Sequence, residues 1–160
     1  MFDITLICMG KLKEKFYLSA AAEYEKRLKG YCSFRILELP EVRLPENPSP
    51  AEIAAGLEKE ADTILAKLPK GCWFCTLTPE GKTLSSEALA DKMKETKLSG
   101  KSSACFLIGS SFGIAPRIKA MADFKLSMSP MTFPHHLARI MVLEQLYRAE
   151  AIQAGSKYHK

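Results

Sequence analysis

Five short apolar runs, separated by stretches of helical spacing, constrain the fold of this chain more than any other feature. They cover residues 4–9, 33–39, 73–78, 104–108 and 124–128. Residues 4–9 form a compact apolar run and 104–108 a continuous one, whereas 33–39 alternates in polarity. Continuous apolar strands belong to sheets buried on both faces, and parallel sheets are the kind whose connections place helices there. Between the runs, residues 14–29 repeat apolar positions at helical spacing through Phe16, Ala20, Tyr24 and Leu28. Ser49 is a candidate N-cap, with Pro50 at the first helical position and Glu52 third, for a helix reaching about residue 68. Further helices are predicted over 85–98, 116–121 and 133–153, and the proline-rich stretch 40–50 is the only evident loop insertion. The pattern predicts one α/β domain over 1–160, with a mostly parallel sheet covered by helices on both faces.

At 160 residues the chain can bury about two-thirds of its unfolded surface. No apolar run approaches a membrane span, and the start MFDITLICMG lacks a basic region and a cleavage site, so a cytoplasmic protein is expected. Five cysteines agree with a reducing compartment. Cys72 and Cys75 form a CxxC, but on a strand positions i and i+3 face opposite ways, so core packing is expected. A zinc site would need a second pair, which is absent, so no metal is expected. The net charge of +5 favours anionic partners such as RNA. Lys11, Lys13, Lys15, Lys26, Arg27 and Lys29 read equally as a solvated helix face or a phosphate-contacting patch.

In open α/β sheets ligands bind at the carboxyl ends of strands. Three such ends stand out, at residues 76–82, 108–113 and 127–134. Gly81-Lys82-Thr83 resembles the end of a P-loop, but the required first glycine falls on Thr76, which excludes that reading. The 109–113 segment lacks dinucleotide-fingerprint spacing, although Gly109 can let backbone approach a ligand closely. Ser, Met, Pro and Thr at 127–132 offer amides and hydroxyls beside apolar surface, suiting an adenine-like group.

The last helix is apolar nearly all round, through Leu137, Ile140, Met141, Val142, Leu143, Leu146, Tyr147 and Ile152. Such a helix is buried on several sides, and a homodimer through it is the economical cover. Arg139, Glu144 and Arg148 would then be partly buried, with Glu144 and Arg148 paired at i, i+4. All three histidines lie nearby, at His135, His136 and His159, the first two expected to cap or pack.

Phe106-Leu-Ile-Gly109, Leu126-Ser127, Met131-Thr-Phe-Pro-His135, Glu144-Gln-Leu-Tyr-Arg-Ala149 and Tyr158-His-Lys160 together resemble the ribosomal RNA large subunit methyltransferase H family, of the SPOUT class. Gly10-Lys-Leu-Lys13, the stretch 22–28 and Gly81-Lys82 fit as well, so the resemblance spans essentially the whole chain. It implies a C-terminal trefoil knot, S-adenosyl-L-methionine bound in the knot, and two subunits completing each other's site. It implies methylation of N3 of a pseudouridine in 23S rRNA, with the assembled ribosome as substrate. The cofactor positions it implies are Leu77, Gly109, Met128, Ser129, Pro130, Met131, Thr132 and Phe133. In the tail, His159 is the expected base, with Tyr158 to stack on or orient the base and Lys160 to hold a phosphate. Arg148 and Arg139 would stabilise charge on the uracil carbonyls, with Arg139 and Lys160 toward the RNA. One departure is Ser110, where the family shows a second glycine, and weaker cofactor affinity is the expected cost. Alternatives are a non-catalytic RNA- or ribosome-binding module, or a SPOUT methyltransferase acting on another RNA site.

Overall fold

The computed structural model describes residues 1–160. Its order is β1 (Asp3–Met9), α1 (Lys15–Leu28), β2 (Ser33–Leu39), α2 (Pro50–Lys67), β3 (Trp73–Thr83), α3 (Ser86–Leu98), β4 (Ser103–Ile108), α4 (Pro116–Met121), β5 (Phe124–Ser127) and α5 (His135–Gln153). The strands form one sheet in the order β2-β1-β4-β3-β5, and every pairing is parallel. The alternation of side chains sorts each strand's residues between two cores. Ile4, Leu6 and Cys8 of β1 pack with residues of α1, α3 and α5, whereas Ile7 and Met9 pack with α2 and α4. Cys72 and Cys75 fall on opposite sides of the sheet, as strand geometry requires, and all five cysteines are free and buried.

Ser49 caps α2 as the sequence predicts, in a complete capping box with Glu52. Most boundaries fall within a residue of the predicted ones, and those at the carboxyl edge of the sheet bear on the site. β5 ends at Ser127 and α5 begins at His135, because Pro130 and Pro134 keep the segment between them out of the helix. β3 continues to Thr83 rather than stopping at Thr78, and its extension matters for the topology. Leu126 of β5 pairs with Leu77 and again with Lys82, so residues 78–81 arch around it. A Cβ on Gly81 would lie 2.6 Å from the Lys125 carbonyl oxygen, so the arch closes on β5 only because this residue is glycine.

The cover expected for α5 from a second subunit is supplied in part by this chain. α5 lies between α1 and α3, which together with the sheet bury Val142, Leu143, Leu146 and Ala149. Ile140, Met141 and Tyr147 stay half-buried and Leu137 exposed. No helix is long and apolar enough to cross a membrane.

Candidate active site

The carboxyl ends of β3, β4 and β5 enclose a cleft of about 400 Å³. Seven of the eight expected cofactor residues line it: Leu77, Gly109, Met128, Ser129, Met131, Thr132 and Phe133. Pro130 turns the same loop without contributing to the wall.

Each wall is shaped by local chemistry. On the β4 side, a Cβ at Gly109 would meet the Gly113 carbonyl oxygen and stand 2.6 Å from Ile114 Cγ1. A bare Cα here lets the turn fold tightly beneath the cleft. The left-handed residue of that turn is Gly113, with φ +98°, and its N–H donates to the Ser110 carbonyl at 2.9 Å. Ser110 itself has no positive φ, so serine sits there without backbone strain. On the β5 side, Ser129 Oγ accepts the Met131 N–H at 3.0 Å, and Ser127 Oγ donates to the Ser129 carbonyl at 3.2 Å. Both hydroxyls are thus spent on holding the loop, which leaves Met131 with 73% of its surface exposed. On the β3 side, Thr78 lines the cleft, and its buried Oγ1 has no hydrogen-bond partner. An orphaned buried hydroxyl costs free energy until a partner arrives. An apolar-walled cleft with one such hydroxyl and a glycine floor fits a flat heterocycle with polar edges.

Thr78 escaped the sequence-derived set, although it belongs to a strand end singled out there. So did His135, which lines the cleft from the first turn of α5. α5 has no side-chain cap, so neither histidine caps it. His135 Nε2 instead lies 3.4 Å from Glu41, and His136 packs edge-on to Tyr17. Burial holds His136 below the usual histidine value, with help from His135 and Arg139.

The tail residues gather elsewhere. Arg148 Nε donates to Glu144 at 2.9 Å, Tyr158 Oη donates to Glu144 at 3.0 Å, and Arg148 Nη1 donates to His159 Nδ1 at 3.0 Å. Because a guanidinium only donates, Nδ1 is the acceptor and Nε2–H of His159 donates to Glu87 at 2.6 Å. The His159 contact holds the Glu87 carboxyl below its usual range. Burial and the Glu144 bond push the Tyr158 phenol up. At 1.5 Å per residue, Arg148 stands about 20 Å along α5 from His135 at the cleft. A separate cavity of about 430 Å³, walled by Tyr24, Ser85, Met141, Glu144 and Gln145, shares only 126–128 with the cofactor cleft. The structure therefore brings the expected cofactor residues together and sets Tyr158, His159 and Arg148 apart from them. Lys160 is exposed at the chain end.

Arg139 corrects the sequence reading. Only 2% of its side chain is exposed, and it donates to Glu38 Oε2 at 2.6 Å and to the Gly10 carbonyl at 3.0 Å. Its guanidinium is engaged inside the subunit, and no face of it is presented to RNA.

Comparison with known proteins agrees with this architecture. Solved structures of a tRNA methyltransferase from Aquifex aeolicus and of a methylase family protein from Haemophilus influenzae Rd KW20 share the fold. Their TM-scores are 0.53 and 0.51, each at 14% identity, covering 91% and 99% of this chain and 69% and 70% of theirs. The chain matches the family described as "Predicted SPOUT methyltransferase" over residues 2–159. The knotted fold of that class is accordingly the fold of this chain, a five-stranded parallel sheet with helices on both faces. Ribosomal RNA large subunit methyltransferase H of Clostridium novyi (strain NT) is 44% identical over 158 residues, and that of Clostridioides difficile (strain 630) 42%. Each alignment covers 99% of both chains. The chain belongs to the SPOUT methyltransferases, in the family of ribosomal RNA large subunit methyltransferase H.

Proposed function

We propose that this protein methylates large-subunit rRNA, transferring a methyl group from S-adenosyl-L-methionine to N3 of a pseudouridine in 23S rRNA on the assembled ribosome, in the cytoplasm. The observation that carries the reading is the cleft at the carboxyl ends of β3, β4 and β5, where Leu77, Gly109 and residues of the 128–133 loop converge. These residues would hold the cofactor, which when bound supplies an electrophilic methyl group on sulfonium sulfur. The glycine floor and the Ser129-braced loop would hold the cofactor in one orientation, so positioning can contribute a large share of the rate.

N3 of a uracil ring is a weak acid, so a base near it helps. His159 is our candidate base, Tyr158 its orienting partner and Arg148 the group that stabilises charge on a ring carbonyl. In this conformation the Nδ1 lone pair of His159 is engaged by Arg148, so the tail must release that contact to accept a proton. The distance of about 20 Å along α5 supports a site shared between two copies. Antiparallel α5 helices about a twofold axis would set the tail of one subunit beside the cleft of the other. Lys160 would then face the RNA phosphates.

The decisive experiment is nucleoside mass spectrometry of rRNA from a deletion strain, with and without the restored gene. Loss and recovery of 3-methylpseudouridine alone is expected. A methyl group lost from a different nucleoside would reassign the substrate, and no loss would leave a binding module.

A further inference from the structure

We infer that Glu60 of α2 is a positioning residue for the cofactor cleft, its buried carboxylate fastening the Ser110 turn of the cleft wall to the neighbouring 40–50 loop. The inference rests on the cofactor reading above and extends it to a side chain outside the cleft wall. Glu60 is 4% exposed and has no cationic partner. Its Oε1 accepts the Ser110 hydroxyl at 2.8 Å, and its Oε2 accepts the Val42 N–H at 2.9 Å. A carboxylate without a cation is costly in a core unless its oxygens are hydrogen-bonded, so an apolar residue would serve stability alone at least as well.

What the carboxylate does instead is join two loops. Ser110 lines the cleft beside Gly109 and Gly113, so one bond leads directly from the cleft wall to α2. Val42 belongs to the proline-rich 40–50 loop, and its neighbour Glu41 reaches His135, which also lines the cleft. One helical turn before Glu60, Gly56 lets the same loop come close, since a Cβ there would stand 3.0 Å from Leu44 Cδ2. α2 therefore offers a small residue that admits the loop and a carboxylate that ties it. Ser110 completes the tie with a hydroxyl that a glycine would lack.

The test is calorimetric binding of S-adenosylhomocysteine to the full chain and to Ser110→Ala, Glu60→Gln and the double variant. Each single change should raise Kd about tenfold, the effect of roughly one hydrogen bond to a charged group. The double variant should match Glu60→Gln, because both changes break one connection. In turnover, KM for S-adenosyl-L-methionine should rise while kcat at saturation stays within about twofold, which a purely stabilising role would not produce. Unchanged Kd in the single variants, or additive losses in the double, would overturn the inference. If Glu60→Gln does not fold, Ser110→Ala decides alone. Failure of the unmodified protein to bind would instead overturn the cofactor reading, and this inference with it.

Discussion

Arg139 carries a permanent charge into the packing between α5 and the end of β1, where Glu38 and the Gly10 carbonyl receive it. Residue type alone suggested a contact to RNA, because an arginine on an apolar helix has no assigned partner in one dimension. The partner lies on β2, and only the sheet pairing brings it near. Arg139→Met should lower unfolding free energy by about 2–3 kcal/mol, less than for a fully buried pair because Glu38 is one-third exposed. Urea titration measures this, and rRNA affinity of the folded fraction should stay unchanged. Retained stability with weakened rRNA binding would restore the original assignment. Ser110 teaches the converse. Read as a lost glycine it suggested weaker cofactor affinity, yet its backbone is unstrained and its hydroxyl is bonded to Glu60.

Among the elements, the crossing of β3 and β5 depends most on a single residue. Gly81→Ala would press a methyl group against the Lys125 carbonyl, a clash with backbone that cannot rotate away. We expect a loss of about 3 kcal/mol in urea unfolding, together with loss of cofactor binding. Unchanged stability would mean that the arch is looser than its geometry implies. The elements themselves were legible because apolar periodicity is local, and the capping box of α2 is written in consecutive residues. The three strand ends were legible too, since a parallel sheet gathers its ligand at one edge. The extension of β3 was not, because Pro79, Glu80 and Gly81 read as a terminating turn. Nor was the flanking of α5 by α1 and α3, since apolar residues do not name the surface they meet. Family resemblance, rather than periodicity, carried the knot.

At the scale of the molecule, the separation of cleft and tail makes a quantitative expectation possible. A variant ending at Gly155 should bind cofactor but not methylate, and a variant with a blocked cleft should do neither. Mixed and allowed to exchange subunits, the two should recover about a quarter of normal activity, since half the dimers are mixed and each holds one complete site. Sedimentation of the unmodified chain as a dimer would accompany that recovery. Zero recovery from demonstrably mixed dimers would place the tail and the cleft of each site in one subunit.

The knotted fold has a consequence for the order in which this molecule can come into being. In a knotted fold the segment that follows β5 has to pass through a loop made by residues that precede it. Contacts between distant parts of the chain therefore have to form before the ligand cleft exists, which makes assembly slow. The same requirement runs backwards: full unfolding has to undo that threading, so the protein is protected by a rate as well as by its equilibrium stability.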